Sequence, residues 1–311
     1  MAGTKWTAEQ IPSEAGKTVL ITGANSGIGF QAALELARHG AYVLMGCRNA
    51  VKGQEALDRL RREAPGGGAE VVELDMASLA SIRAFAAGFA ARGIALDVLI
   101  NNAGVMALAK RELTADGFER QFGTNHLGHF ALTGLVMPQL LAAPAPRVVT
   151  VASLAHRNGK IDFANLQSER GYKPWDAYGE SKLANILFAN ELDRHARAAN
   201  SRLISVSVHP GVSQTSIVAN GPGASDLKTL LLFTFAKFLT SKDAEGALPT
   251  LYAATSADVR GGQFIGPDGF MEFKGSPTVV KPRAHALDQA VGQRLWTASE
   301  ELTGVIYPPL G

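Results

Sequence analysis

Apolar segments rich in β-branched residues alternate with helical patterns along almost the whole chain. Strands joined through helices run parallel, because each helix returns the chain to the edge at which the previous strand began. The alternation therefore predicts a doubly wound, Rossmann-like α/β fold, with a parallel sheet and helices on both faces. The expected elements are, in chain order, TVLITGA, FQAALELARHG, AYVLMGC, a charged helix to Arg62, EVVELDM, a helix near 78–91, LDVLINNAG, a helix near 114–141, PRVVTVAS, DAYGESKLANILFANEL and RLISVSVHPG.

No stretch is long or polar enough to act as a linker between domains. We therefore predict one domain over residues 1–311, with its core over 17–304 and a substrate-covering segment at about 213–242. Residues 227–239 of that segment are apolar but too few to span a bilayer. We expect a helix over a pocket there, with an interfacial membrane helix as the alternative.

Composition excludes several classes of protein. Hydrophobic residues make up 46% of the 311 residues and charged residues 19%, which is typical of a globular protein. A net charge of +2 gives no electrostatic reason to expect nucleic acid. The single Cys47 has no disulfide partner, and the amino terminus lacks a signal pattern. We expect a soluble, cytoplasmic protein without a transmembrane segment, and a homo-oligomer is left open.

A glycine-rich turn, TGANSGIGF, directly follows the first predicted strand and opens a helix. Glycines at such a turn let the backbone approach a pyrophosphate, whose negative charge is favoured at the amino end of a helix. The alternative is a tight turn that binds no ligand. If the turn binds a dinucleotide, its contacts are expected from Gly23, Asn25, Ser26, Gly27, Ile28 and Gly29.

Tyr178 and Lys182 are four residues apart on a predicted helix and therefore share one of its faces. A free phenol titrates near pH 10, which makes it a poor proton exchanger at neutral pH. A cation one helical turn away would favour the phenolate and lower the pKa of Tyr178. The alternative is an exposed tyrosine and lysine on a surface helix.

Ser153 follows the strand PRVVTVAS, and ligands of open parallel sheets bind at the carboxyl ends of the strands. A serine hydroxyl there can donate a hydrogen bond to a substrate carbonyl oxygen as negative charge develops on it. A serine at a strand end is otherwise most often a turn former.

Several motifs occur in one order along the chain: TGANSGIG, LDMASL, NNAG, NHLGHF, a serine after a strand, YGESK and HPG. In this order they resemble the short-chain dehydrogenase/reductase family, from about Lys17 to the carboxyl end. The segments SLAHRNGKIDFANLQSE and QRLWTASEELTG are similar to the retinol-dehydrogenase-like branch of that family. The resemblance implies that Ser153, Tyr178 and Lys182 are catalytic. It also implies that Tyr178 and Lys182 contact the cofactor, and that Lys182 holds the nicotinamide ribose.

The resemblance also implies a role for Asn125 in NHLGHF, as the helix asparagine that holds a water linked to the catalytic lysine. The alternative for Asn125 is a polar residue that only kinks its helix. Further cofactor contacts implied by matching motifs are Asp75 and Met76 beside the adenine, Asn102, Ala103 and Gly104 beneath the dinucleotide, and Pro210, Gly211 and Val212 near the carboxamide. Ser213 is a further expected polar contact, and the long segment between Ser153 and Tyr178 is expected to form part of the pocket wall.

The end of the second strand indicates which dinucleotide is used. An acidic residue there accepts hydrogen bonds from the ribose of NAD, whereas an arginine accommodates the 2′-phosphate of NADP. This sequence has Arg48 and Asn49 at that position and no acidic residue. A guanidinium can hold a phosphate through two parallel hydrogen bonds. We therefore expect NADP rather than NAD.

The sequence thus predicts an NADP-dependent oxidoreductase that transfers a hydride between nicotinamide and the carbinol or carbonyl carbon of a hydrophobic alcohol, aldehyde or ketone. Two alternatives remain: a dinucleotide sensor that does not turn over, and a sugar-nucleotide epimerase or dehydratase, whose usual GxxGxxG turn is absent. His126 and His129 lie three residues apart but lack further ligands at metal-site spacing, so no metal is expected.

Overall fold

The computed structural model describes residues 5–212 and 242–311. Its eight strands form one sheet in the order β3-β2-β1-β4-β5-β6-β7-β8. The strands are β1 Thr18–Thr22, β2 Tyr42–Cys47, β3 Ala69–Glu73, β4 Val98–Asn101, β5 Arg147–Val151, β6 Ile204–Val208, β7 Phe264–Pro267 and β8 Pro277–Val280. Pairing is parallel throughout, except that β8 runs antiparallel to β7. The predicted fold class is confirmed.

Helices cover both faces of this sheet. They are α1 Gly27–Arg38, α2 Ala50–Glu63, α3 Leu79–Ala91, α4 Arg120–Phe122, α5 Gly128–Leu135, α6 Met137–Leu141, α7 Pro174–Ala198, α8 Asp243–Thr255 and α9 Gln289–Thr303. Short 3-10 turns occupy Ala8–Gln10, Leu154–Asn158, Phe270–Glu272 and Ala284–Leu287. None of the helices within the described ranges combines the length and apolar character needed to cross a bilayer. The predicted substrate-covering segment lies outside the described residues, except for Lys242.

Alternating side chains of the central strands fill two cores. In β1, Val19 and Ile21 pack on one face with α1, α2 and α8, whereas Leu20 packs on the other face with α3, α5 and α7. All three side chains are fully buried. The continuous apolar run in this strand thus reflects burial on both faces of the sheet.

The single helix predicted near 114–141 is wrong. Residues before Arg120 form a turn in which the backbone N–H of Thr114 donates to Phe118 O at 2.8 Å. A π-helical turn at Gly123–Leu127 then separates α4 from α5, and α6 begins anew at Met137, with Pro138 in its first turn. Local apolar periodicity does not register a turn closed by a backbone hydrogen bond, a π-helical turn or a proline at the start of a helix.

Helix α5 approaches the segment after β3 more closely than a side chain permits. A Cβ on Gly128 would overlap the backbone carbonyl of Met76, whereas a Cβ on Gly88, in α3, would meet nothing within 4 Å. Gly128 and Gly88 both lie in helices, but only Gly128 is packed against a backbone, so Gly88 can serve as its control.

We expect Gly128→Ala to destabilise the protein by about 1–3 kcal/mol, because a backbone atom cannot move aside as a flexible side chain can. Gly88→Ala should instead stabilise it by about 0.5–1 kcal/mol, since alanine is the better helix former. The free energy of unfolding in urea measures both changes. Equal effects of the two substitutions would contradict the packing that the structure shows.

Candidate active site

The turn after β1 has the backbone geometry that its glycines predict. Gly23 has a φ of +67° and Gly27 a φ of +57°, values that residues with a Cβ rarely adopt. A Cβ on Gly29 would overlap both Asn102 Nδ2 and the carbonyl oxygen of Gly23. Two glycines are therefore required by conformation, and Gly29 is required by packing of α1 against the strand ends.

The amino end of α1 lacks a side-chain cap. Ser26 is the N-cap residue, but its side chain accepts no capping hydrogen bond. The N–H groups of the first turn carry partial positive charge and need an acceptor. Asn25 and Ile28 flank them, half-buried in the same turn. This arrangement fits the phosphate groups of a dinucleotide.

Arg48 and Asn49 occupy different roles at the end of β2. The Arg48 side chain is exposed and forms no ion pair with another described residue. Asn49 is the N-cap of α2, and its Oδ1 accepts a hydrogen bond from Lys52 N at 2.9 Å. The Arg48 side chain is therefore free to bind an anion, whereas the side-chain oxygen of Asn49 already caps α2.

The residues after β3 are held by local hydrogen bonds. Asp75 Oδ1 accepts from the backbone N–H of Ala77 at 2.9 Å, and the Asp75 N–H donates to Ser81 Oγ at 3.0 Å. Met76 is buried. These bonds fix a turn at the same edge of the sheet as the glycine-rich turn, where the sequence predicts contacts with the adenine.

Asn102 closes the crevice between β1 and β4 by contacting backbone. Its Nδ2 donates to Thr22 O at 2.8 Å, and its N–H donates to Thr22 Oγ1 at 2.9 Å. Ala103 N donates to the same hydroxyl oxygen at 2.9 Å. A Cβ on Gly104 would lie 3.1 Å from Asn125 Oδ1 and 3.6 Å from Lys182 Nζ. The NNAG motif thus joins the glycine-rich turn to two predicted catalytic residues.

His129 belongs to this network and was not predicted as a site residue. Its Nε2 lies 2.9 Å from Thr22 Oγ1, and its Nδ1 lies 2.9 Å from the carbonyl oxygen of Asn125. Burial lowers the pKa of His129 to about 4, so the ring is neutral at neutral pH. Because Thr22 Oγ1 already accepts two N–H groups, its hydroxyl donates to Nε2, and the other ring nitrogen donates to Asn125. The second histidine of the motif NHLGHF is the feature of the sequence from which this role could have been predicted.

Asn125 lies within the π-helical turn Gly123–Leu127 and is fully buried. Its side chain accepts from Val105 N at 2.8 Å and donates to Val105 O at 2.9 Å and to Ser181 Oγ at 2.9 Å. These three bonds join the segment after β4 to α7. Asn125 therefore lies in a distorted part of the helix and also makes three specific side-chain hydrogen bonds there.

Helix α7 brings Lys182 to the carboxyl end of β5. Its Nζ donates to Val151 O at 2.9 Å and lies 5.9 Å from the centroid of the Tyr178 ring. Asn185 Nδ2 donates to the same carbonyl at 3.0 Å. Within the described ranges Lys182 has no acidic partner, and its ammonium keeps donors available for a ligand.

The Ser153 side chain lies beside Tyr178 and lowers the pKa of its phenol. Ser153 is the N-cap of the 3-10 turn Leu154–Asn158, and its Oγ accepts from Ala155 N at 3.2 Å. The hydroxyl proton of Ser153 is therefore available for donation toward the site. The structure thus brings Ser153, Tyr178, Lys182 and Asn125 to one edge of the sheet.

The electrostatics around Tyr178 differ from those that the sequence suggests. Burial raises the pKa of Tyr178, and the neighbouring Ser153 side chain opposes this rise. Burial also lowers the pKa of Lys182 to about 8. In the structure Ser153, rather than the lysine, counters the effect of burial on the phenol, because Lys182 bonds Val151 O instead of the phenolic oxygen.

The segment between Ser153 and Tyr178 packs on the first turns of α7. A Cβ on Gly159 would overlap the carbonyl oxygen of Gly179. Glu180 Oε1 accepts from the backbone N–H of Asp162 at 3.0 Å. Trp175 remains 56% exposed, with its ring centroid 6.0 Å from that of Tyr178. The segment therefore lies beside the site, as a pocket wall must.

Residues 210–212 follow β6 at the same edge. Gly211 has a φ of +74°, and a Cβ there would overlap the carbonyl oxygen of Phe273. Val212 N donates to that carbonyl oxygen at 2.9 Å. Pro210 is half-buried between them and β6. Ser213, the remaining predicted contact, lies outside the described residues.

Two further groups near this turn were missed by the sequence analysis. His209 is fully buried, with Nε2 3.0 Å from Glu272 Oε2, and Glu272 Oε1 lies 2.9 Å from Arg157 Nη2. The HPG motif contains His209 and could have identified it from the sequence. Nothing local in the sequence connects Glu272 or Arg157 to it. Among the described residues there is no group of three or more side chains arranged to hold a metal ion.

Similarity to short-chain dehydrogenases extends along most of the chain. A family model described as short chain dehydrogenase matches residues 17–223. Human retinol dehydrogenase 12 is 42% identical over 299 residues, covering 96% of this chain and 89% of that protein. Mouse polyprenol dehydrogenase is 38% identical over 300 residues, covering 94% of this chain and 86% of that protein.

Solved structures with a similar fold also match most of the chain. The crystal structure of an uncharacterised protein from Mycobacterium paratuberculosis is 44% identical, with a TM-score of 0.80, covering 98% of this chain and all of that one. A structure assigned as an NAD(P)-dependent gluconate 5-dehydrogenase from Beutenbergia cavernae, with bound NADP at low occupancy, is 26% identical. Its TM-score is 0.62, and the match covers 81% of this chain and 95% of that one.

The buried carboxyl of Glu180 generates a prediction about stability. Burial raises its pKa from an ordinary value of 4.5 to about 8. The neutral form is thus favoured in the fold, and its stabilisation is present below pH 4.5 and lost as the pH rises toward 8. Glu180→Gln, which is neutral at every pH, should therefore exceed the parent protein in stability at pH 8 by a few kcal/mol, and match it near pH 4.5.

Urea unfolding at the two pH values measures this difference. Glu55→Gln, at an exposed position in α2, is the matched control and should change stability little at either pH. A gain for Glu180→Gln of the same size at both pH values would show that ionisation of Glu180 is not its cause.

Proposed function

This chain belongs to the short-chain dehydrogenase family, and from that premise we propose that it is an NADP-dependent oxidoreductase of a hydrophobic alcohol, aldehyde or ketone. Members of the family use NAD(P) and act on CH–OH groups. The observation that carries the proposal is the meeting of Ser153, Tyr178 and Lys182 at the carboxyl end of β5. A lysine buried only for structure would have a carboxylate partner, and no described residue supplies one.

We assign proton exchange to Tyr178 and orientation of the substrate oxygen to Ser153. A substrate oxygen that meets both the Ser153 hydroxyl and the neighbouring Tyr178 phenol would receive one hydrogen bond from each. In carbonyl reduction the phenol gives its proton to the oxygen that develops negative charge. In alcohol oxidation the phenolate takes the proton back.

Lys182 and Asn125 have supporting roles in this proposal. The remaining ammonium hydrogens of Lys182 would bind the nicotinamide ribose. Asn125 holds the segment after β4 against α7 through its three side-chain hydrogen bonds. Asn125 would also hold the water that the family resemblance implies.

The dinucleotide supplies the hydride, and residues along one edge of the sheet would bind it. The uncapped amino end of α1, with Gly23, Asn25, Ser26, Gly27, Ile28 and Gly29, fits the pyrophosphate. The adenine would lie against Asp75 and Met76, and the rest of the dinucleotide would pass over the Asn102, Ala103 and Gly104 backbone. The turn at Pro210, Gly211, Val212 and Ser213 would meet the carboxamide.

Preference for NADP rests on Arg48. Its exposed side chain has no ion-pair partner in the described part of the chain, and no acidic residue follows β2 to repel a 2′-phosphate. The NADP held by the Beutenbergia relative supports the same choice. The Nδ2 group of Asn49 remains as a second donor beside it.

A hydrophobic substrate is supported by two observations. The relatives include a retinol dehydrogenase and a polyprenol dehydrogenase, whose named substrates are long apolar alcohols. Trp175 also presents an exposed aromatic face next to Tyr178. An indole there can cover an apolar chain or ring beside the reacting carbon.

Replacing the phenol tests the proton assignment. We expect Tyr178→Phe to lower kcat by about a hundredfold or more for reduction of apolar carbonyl compounds, because the general acid is lost. The Kd for NADPH, measured by fluorescence, should stay within about twofold, since Lys182 and the other residues assigned to the dinucleotide are unchanged. Tyr252→Phe in α8, whose ring packs against Trp6, is the matched control. Near-normal turnover of Tyr178→Phe would refute the mechanism.

Comparing the two dinucleotides tests the role of Arg48. We expect kcat/KM for NADPH to exceed that for NADH by at least about tenfold, equivalent to roughly 1.4 kcal/mol. Arg48→Ala should remove most of that difference by weakening NADPH alone. Arg62→Ala, at an exposed arginine in α2, should leave the preference intact. A parent enzyme that uses NADH equally well would exclude the assignment without affecting Tyr178.

A further inference from the structure

We propose that Glu272 is a positioning residue that couples the turn at residues 210–212 to the turn carrying Ser153. The inference rests on the proposed function, because it assigns dinucleotide binding to the first turn and substrate orientation to the second. Glu272 touches neither Ser153 nor Gly211 through its carboxylate. It acts through His209 on one side and Arg157 on the other.

The contacts of His209 fix its tautomer. The backbone N–H of Gly211 donates to His209 Nδ1 at 3.2 Å, so Nδ1 is an acceptor without a proton. Nε2 therefore carries the hydrogen and donates to Glu272 Oε2 at 3.0 Å. His209 has no exposed surface, and a Cβ on the neighbouring Gly266 would overlap its ring. The carboxylate thus orients a ring that holds the 210–212 turn.

Arg157 connects the other carboxylate oxygen to the serine turn. Its Nη2 lies 2.9 Å from Glu272 Oε1. Arg157 belongs to the 3-10 turn Leu154–Asn158, which Ser153 caps. Within that turn His156 Nδ1 lies 2.7 Å from the carbonyl oxygen of Ser153. A shift of Arg157 would therefore be transmitted to Ser153.

The backbone around Glu272 is held in an unusual conformation. Met271 and Glu272 have φ values of +51° and +63°, a region that costs free energy for residues with a Cβ. The next residue, Phe273, accepts from Val212 N through its carbonyl oxygen at 2.9 Å. Two consecutive left-handed residues thus aim the carboxylate at His209 and Arg157 while the same segment bonds the 210–212 turn.

The charge of Glu272 suits this bridge. The hydrogen bond from His209 lowers the pKa of Glu272, with a further contribution from the charge of Arg157, so the carboxylate is ionised at neutral pH. Burial lowers the pKa of His209, which keeps the ring neutral. A glutamine at this position could still accept from His209, but it would lose the attraction to Arg157.

A double-mutant cycle in the full chain tests the coupling, with the Kd for NADPH and for NADH as readouts. Arg157→Gln should raise the Kd of the preferred dinucleotide by about fivefold, although Arg157 does not contact the 210–212 turn. Glu272→Asn should raise it by about tenfold. Asparagine tolerates the left-handed backbone and is too short to reach both partners. Adding Arg157→Gln to Glu272→Asn should then change the Kd by less than about twofold.

The conservative Glu272→Gln variant distinguishes a positioning role from general stability. It retains the acceptor for His209, so its Kd for the dinucleotide should lie between those of the parent and Glu272→Asn. The thermal midpoint of each cofactor-free variant is measured alongside, to show that the variants are folded. The pair Arg92 and Glu70, at the β3 end of the sheet, provides the control, since Arg92→Gln should leave the Kd unchanged.

Two results would overturn the coupling: an Arg157→Gln effect that is equally large with and without Glu272, or no effect of Arg157→Gln in the parent protein. Failure of the proposed function is distinct from both. It would appear as a parent protein that binds neither NADPH nor NADH, and the coupling would then be wrong as well.

Discussion

The hydroxyl of Thr22 joins the two strands between which the candidate site opens. It accepts hydrogen bonds from Asn102 N and Ala103 N at the end of β4, and it bonds the buried ring of His129 from α5. One side chain therefore fixes the end of β1, the end of β4 and the helix behind them. The glycine-rich turn begins at the next residue, so its position depends on this contact. Loss of any partner would leave a buried polar group unsatisfied, which is costly.

The same network extends to the residues assigned to catalysis. His129 reaches the carbonyl oxygen of Asn125, the Asn125 side chain reaches Ser181 in α7, and α7 carries Lys182 to Val151 at the end of β5. The π-helical turn makes this sequence of bonds feasible, because it brings the asparagine side chain and carbonyl to different partners. The residues that we assign to dinucleotide binding and to catalysis are thus held by one continuous set of buried hydrogen bonds, and such sets are rigid when every member is satisfied.

Burial gives the site its unusual protonation. Burial lowers the pKa of Lys182 to about 8 and raises the pKa of Tyr178, which lies one turn away on the same helix. A helix that only built a core would not carry these groups so close together, since each costs free energy when buried in its charged form. The cost is consistent with a site whose residues exchange protons near neutral pH.

The sequence by itself determined the class of fold, the glycine-rich turn and the Tyr178 and Lys182 pair, because each depends on residues within one or two turns of chain. Strand alternation, positive φ at Gly23 and a shared helix face are local properties that periodicity and spacing report. The partners of His129 and the bridge from Arg157 through Glu272 to His209 depend instead on the tertiary structure. These contacts join residues far apart in the chain, 107 positions for Thr22 and His129 and 63 for His209 and Glu272. No local pattern encodes such distances, because they are set by how the sheet twists and where its strand ends meet.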